Sequence, residues 1–185
     1  MRTLVTGATG LIGYNMVQQL TADGHEVRVL ARSVEKARAL FSNTCTILQG
    51  DVTEPRSLTA AIDGCEIVFH AAGFPEQWMK DPAIFQRVNV EGTRNVLNAS
   101  TSAGVRRVVY TSTIDVFAAR AGESYDESVL DTQPKGTYYE RSKQDADRVA
   151  VEFLSRGMDI CSFILPAYTV QGQWDLLEST SSSSI

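Results

Sequence analysis

The chain has 185 residues, a formal net charge of −5, 43% hydrophobic and 21% charged residues. That composition fits one globular domain whose apolar core needs no disulfide or metal staple. An acidic balance with no basic face argues against nucleic acid or an anionic membrane surface as the partner.

Strands are predicted near residues 2–6, 26–31, 45–49, 66–71, 106–112 and 159–165, and helices near 11–23, 34–42, 55–63, 82–103 and 137–156. The first strand runs into Thr6-Gly7-Ala8-Thr9-Gly10-Leu11-Ile12-Gly13, after which Ile12, Met16 and Leu20 fall at helical spacing. Glycines three apart allow a tight turn and let a phosphate approach without meeting a Cβ. The helix that follows aims its free N–H groups at the same place, so Gly7, Thr9, Gly10, Leu11, Ile12 and Gly13 read as a cradle for the pyrophosphate of a dinucleotide.

The second strand ends Leu30-Ala31-Arg32-Ser33. An NAD site places an acid there, about 20 residues past the glycines, to hold the ribose 2′-hydroxyl. Arg32, with Lys36 one turn on, would instead clamp a 2′-phosphate, so the expected cofactor is NADP, with NAD possible. Gly50-Asp51-Val52 closes the third strand, and two readings stand for it: a carboxylate accepting from the adenine amino group, or a cap on the turn before Thr53 and Pro55. His70-Ala71-Ala72-Gly73 ends the fourth strand with small residues, as a backbone close to a flat ligand needs. A tight strand–helix junction explains them as well. The next connection holds Phe74, Pro75, Trp78 and Met79, either packed on one another or forming a wall toward a substrate.

On the helix near 82–103, Asn89 could hold a water that relays protons, although alone it reads as structural. The fifth strand ends Tyr110-Thr111-Ser112-Thr113, whose hydroxyls can donate to a substrate carbonyl as charge grows on its oxygen. Tyr139 and Lys143 are four apart on a helix and therefore share a face. A phenol titrates near pH 10, and a nearby ammonium is expected to bring it toward neutrality. Continuous apolar runs such as Ile67-Val68-Phe69 and Val108-Val109-Tyr110 mark strands buried on both faces. Alternating with helices, they give an α/β, doubly wound parallel sheet.

Cys45, Cys65 and Cys161 and the two histidines lack metal-ligand spacing, so no metal is expected. The opening Met1-Arg2-Thr3 goes straight into a strand and no apolar run nears the ~20 residues of a membrane span, so a cytoplasmic location is expected. Residues 1–175 read as the nucleotide-binding domain. Residues 176–185, rich in serine, read as a disordered tail.

In this order the motifs Thr6-Gly-Ala-Thr-Gly-Leu-Ile-Gly13, Gly50-Asp51, His70-Ala-Ala-Gly73, Asn89-Val-Glu-Gly-Thr93, Thr111-Ser-Thr113 and Tyr139-x-x-x-Lys143 resemble the extended short-chain dehydrogenase/reductases. The dihydroflavonol-reductase-like and NAD-dependent epimerase/dehydratase branches are closest in character, and the likeness runs to about Asp175. It implies a Rossmann domain with Tyr139 as the acid–base and Lys143 as its partner. It puts Thr113 in the serine/threonine position, with the neighbouring Ser112 as second choice. Further, it implies Arg32 at the NADP phosphate, Pro166-Ala167 near the nicotinamide, and a homodimer through the helices near 82–103 and 137–156. Val88, Val96, Leu97, Ala146, Ala150 and Phe153 form apolar stripes for which two readings stand: that contact, or packing spent entirely on the sheet. Where the family carries Gly-Pro-x-Asp this chain has Gly172-Gln173-Trp174-Asp175 and then the serine tail, without the C-terminal part that builds most of the substrate pocket. The expected activity is NADP-dependent reduction of a small-molecule carbonyl. The alternatives are a nucleotide-sugar epimerase or dehydratase, and a non-catalytic NAD(P)-binding sensor.

Overall fold

The computed structural model describes residues 1–76, 79–118 and 130–165. Its strands are β1 Arg2–Thr6, β2 Glu26–Ala31, β3 Thr46–Gln49, β4 Ile67–His70, β5 Arg107–Thr113 and β6 Ile160–Leu165. All pair in parallel, in the order β3-β2-β1-β4-β5-β6. The helices are α1 Leu11–Ala22, α2 Val34–Phe41, α3 Pro55–Ile62, α4 Ala83–Phe85, α5 Gly92–Ser102 and α6 Tyr138–Ser155.

Alternation along the strands explains their unbroken apolar runs. Leu4, Val68 and Val108 face α3, α5 and α6, where they meet Leu58, Leu97, Ala146 and Phe153. Val5 and Val29 face the other way, onto Val17 of α1 and Phe41 of α2. Each of these side chains is at most 4% exposed, and each such burial stabilises by roughly 1.5–3 kcal/mol. The register pairs Thr111 with Phe163, which puts Phe163 on the α1–α2 side of the sheet. There it is 46% exposed, so the covering of both faces expected from sequence ends before β6. No helix among the described residues is long and apolar enough to cross a membrane.

The helix expected over 82–103 is not uniform. A π-helical segment, Gln86–Glu91, joins α4 to α5. Gly92 follows it, and a Cβ there would stand 2.8 Å from Cγ2 of Val52. Asn89 lies buried within this turn, and such π-helical turns are frequent at functional sites. The apolar stripes expected at a dimer contact serve the protein's own core: Val96, Leu97, Ala146, Ala150 and Phe153 are buried and Val88 packs against them. The exposed apolar residues of α6 are Tyr138, Val151 and Leu154.

Candidate functional site

The strand order reverses between β1 and β4, which opens a crevice at the carboxyl ends of those strands. The glycine loop lies there, and its glycines do different work. Gly7 has φ +69° and approaches the end of β4 so closely that a Cβ would sit 2.5 Å from the Ala72 nitrogen and 2.6 Å from the Ala71 carbonyl. Gly13 is pressed against Gly7 and Ala8 with no room for a Cβ. Gly10 is different, since a Cβ there would meet only the Gly7 oxygen, at 3.3 Å. The protein itself makes little demand on Gly10; a group approaching from the crevice would. Helix α1 starts at Gly10 with no side-chain cap and no acid in its first turn, leaving the N–H groups near Leu11, Ile12 and Gly13 available. Thr9 is half-buried beside them. This cradle fits a pyrophosphate.

Arg32 is exposed just past β2, and among the described residues it forms no ion pair. Ser33 caps α2 by accepting from the Lys36 N–H at 3.1 Å, leaving the exposed Lys36 side chain one turn beyond Arg32. Asp51 caps the turn: its Oδ1 accepts from the backbone and side chain of Thr53, both at 2.9 Å. The side chain of Val52 is buried in the core, and its carbonyl accepts from Asn95.

His70, Thr6 and Thr93 lock β4 to its neighbours. Thr93 donates to the Asn89 carbonyl at 2.6 Å, so its oxygen accepts from His70 Nε2 at 3.0 Å. Nδ1 then accepts from Thr6 Oγ1 at 2.7 Å, which fixes the tautomer. Burial, with Lys143 nearby, pushes the imidazole down to about 3, so it is neutral. Ala71 and Ala72 are half-buried at the crevice and Gly73 is exposed. Asn89 holds the next turn of chain: Oδ1 accepts from the Phe74 N–H at 2.6 Å, while Nδ2 donates to the Phe74 carbonyl at 3.2 Å and Ser142 Oγ at 2.8 Å. Both amide donors are occupied, which gives Asn89 the structural role of a latch. Phe74 stacks edge-on to Phe85 at 5.2 Å, and Phe85 lies 6.2 Å from Tyr138.

A capping box starts α6. Thr137 Oγ1 accepts from the Glu140 N–H at 3.1 Å and Glu140 returns the bond at 2.8 Å. It sets Tyr139 in the first turn, at the end of the helix beside the carboxyl ends of the strands. Tyr139 is half-buried. Burial first, then the charges of Asp115, Asp147 and Glu140, push its phenol up to about 12. Lys143, buried beneath, is pulled down to about 8 by desolvation. Its ammonium donates to the Tyr110 hydroxyl at 2.9 Å and the Thr111 carbonyl at 2.7 Å. The lowering of Tyr139 expected from Lys143 is therefore absent: the lysine is turned toward β5, and carboxylates dominate around the phenol. Thr113 Oγ1 donates to Asp115 Oδ2 at 2.8 Å and caps the 3₁₀ turn Ile114–Val116.

A family model described as NAD dependent epimerase/dehydratase family matches residues 3–178. The chain belongs to that family. It is 36% identical over 180 residues to sterol demethylase protein B of Methylococcus capsulatus, covering 97% of this chain and 54% of the relative. It is 34% identical over 175 residues to a putative dihydroflavonol 4-reductase of Synechocystis, at 93% and 50% coverage. The solved dTDP-glucose 4,6-dehydratase DesIV of Streptomyces venezuelae, with NAD and TYD bound, superposes with a TM-score of 0.76 at 28% identity, covering 89% of this chain and 55% of that one. The chain thus spans about half the length of the relatives it matches.

Within this epimerase/dehydratase domain one polar residue was not found from sequence. Asp147, 6% exposed, lies one turn beyond Lys143 and accepts from Ser112 Oγ at 2.8 and 2.9 Å and from the Tyr110 hydroxyl at 3.1 Å. Its signal was present: an acid at the third place of the series Tyr139, Lys143, Asp147, flanked by the apolar Ala146, Val149 and Ala150. Ser112 is thereby occupied by Asp147 rather than turned to the crevice. Pro166 and Ala167, Trp78, residues 172–175 and the serine tail lie outside the described residues.

Proposed function

We propose that this chain is the cofactor-binding part of an NADP-dependent oxidoreductase that reduces a small-molecule carbonyl. The observation that carries the reading is Tyr139, a phenol holding its proton at neutral pH, placed beside Lys143 and the end of β5 on the sheet edge that also bears the glycine cradle. The bare start of α1 and Gly10 would hold the pyrophosphate, Arg32 and Lys36 the 2′-phosphate, and the alanines Ala71 and Ala72 with Gly73 would lie against the flat part of the cofactor. Lys143 would reach the ribose hydroxyls. The bound nicotinamide supplies the hydride. Tyr139 donates its proton to the carbonyl oxygen, and Thr113 orients that oxygen once its hydroxyl turns from Asp115, Ser112 being held by Asp147.

A nucleotide-sugar epimerase or dehydratase would use the same residues, and the likeness to the Streptomyces dehydratase favours it as the second reading. Parallel calorimetric titrations with NADP and NAD, followed by NADPH oxidation with aldehydes, ketones and nucleotide sugars, separate these readings. Net consumption of NADPH by a carbonyl supports the reductase. Conversion of a nucleotide sugar without net consumption replaces it with the epimerase. Failure to bind either dinucleotide removes both.

A further inference from the structure

Tyr139, Lys143 and Asp147 follow one another at one-turn spacing on the inner face of α6. Asp147 stands among Ala146, Val149 and Ala150, all buried. A carboxylate there keeps its charge only if it is paired and hydrogen-bonded. The partners come from β5: Tyr110 and Ser112 donate to it, while the same Tyr110 hydroxyl accepts from Lys143. Donors and acceptors thus run in one direction, from the ammonium of Lys143 through the phenol of Tyr110 to the carboxylate. The Lys143 nitrogen also lies 4.6 Å from the Tyr110 ring centre.

We infer that Asp147 is the positioning residue for Lys143, holding its buried ammonium charged and aimed along β5 through Tyr110. The inference rests on the function proposed above, in which that ammonium meets the nucleotide. Lys143 is only 8% exposed, and desolvation favours its neutral form. The surroundings offer little else to oppose this. His70 on β4 is neutral, and burial keeps Tyr110 protonated. Tyr139 is protonated as well, and Asp115 in the 3₁₀ turn is bonded to Thr113. On the π-helical segment Arg87 and Glu91 are exposed, and on α5 Arg94 pairs with Glu152. Asp147 is the anion whose charge acts to raise Lys143.

Lysine labelled at Cε and Nζ makes the test direct, because Lys36, Lys80, Lys135 and Lys143 are the chain's lysines. Nuclear magnetic resonance titration should show Lys143 changing charge well below the others. In Asp147→Asn its midpoint should fall by at least about one pH unit, and Asp147→Glu should restore most of it. NADP affinity should follow, weakened several-fold near neutrality in Asp147→Asn and matching the parent at about pH 6, where both lysines are charged. A midpoint and an affinity profile unchanged in Asp147→Asn, with only the unfolding midpoint lowered, would overturn the inference and leave Asp147 as mere packing. Should Asp147→Asn fail to fold, Tyr110→Phe removes the bridging hydroxyl at nearly constant volume, and an unchanged Lys143 midpoint there overturns it equally. Lys143→Ala keeps the two readings apart. Lost NADP binding without Asp147 coupling overturns this inference alone, whereas coupling without lost binding overturns only the nucleotide role of Lys143.

Discussion

Replacing Gly7 and Gly10 by alanine, one at a time, should separate the demands of the fold from those of a ligand. At Gly7 the backbone is left-handed, with φ +69°, which costs an L-residue roughly 1–2 kcal/mol. The new Cβ would also sit 2.5–2.6 Å from backbone atoms of Ala71 and Ala72. Those atoms cannot rotate away, and moving β1 from β4 adds roughly 1–3 kcal/mol. The sum, about 2–5 kcal/mol, corresponds to a fall in Tm of roughly 4–20 °C for a chain of this size. At Gly10 the same Cβ meets only an oxygen at 3.3 Å, so stability should change by no more than about 1 kcal/mol. Yet the Cβ would stand where the pyrophosphate is proposed to lie, and NADP affinity should drop at least about tenfold, near 1.4 kcal/mol. Thermal unfolding and calorimetric titration of both variants give the two numbers. Undiminished NADP binding by Gly10→Ala would refute the placement of the phosphates. An unaltered Tm in Gly7→Ala would refute the steric account of the β1–β4 junction.

Arg32→Ala should weaken NADP about ten- to a hundredfold while leaving NAD unchanged; equal losses by calorimetry would remove the 2′-phosphate argument. Tyr139→Phe should retain dinucleotide binding and lower carbonyl-dependent NADPH oxidation by about 10²–10⁴; full turnover would exclude Tyr139 as proton donor. The folded imidazole of His70 lies far below its unfolded value, so the unfolded state gains the proton first as pH falls. Stability is then complete above about pH 6.5 and declines by up to about 1.4 kcal/mol per pH unit below it, toward the folded value. Urea unfolding at several pH values should show a shallower decline in His70→Gln, and parallel curves would contradict the burial of a neutral histidine. Phe163→Thr, on the exposed side of β6, should raise the concentration at which the 185-residue chain begins to scatter light, because an apolar edge strand templates association; no change would mean that the edge is harmless.

The sheet was legible because its signals are local. Each strand is an apolar run bounded by turn residues, and the observed limits differ from the expected ones by about one residue. The start of α6 was equally visible in Thr137-x-x-Glu140. The π-helical turn before Gly92 was hidden, since a periodicity of 3.6 extends through it unbroken, and the close approach of Val52 to Gly92 joins residues far apart in sequence. The direction of the Tyr139 shift was hidden for a similar reason. Spacing places Lys143 under the phenol, but Tyr110 and Thr111 on another element decide where the ammonium points. Asp51 shows the same division: its dipeptide allowed two readings, and the bonds by which it caps Thr53 emerge only in three dimensions.

The central position of β1 also bears on how the chain becomes a protein. Its flank toward β2 is met by the next strand to be synthesised, Thr3 opposite Val27, whereas its other flank waits for β4, Thr3 opposite Ile67. During translation the first three strands can therefore close around α1 and α2 while Leu4 still faces water on the side later filled by α3, α5 and α6. The long loop between those partners makes the second closure the slower one. The Gly7–Ala72 contact lies at the end of that seam, so the residues that shape the crevice also join the two halves of the sheet.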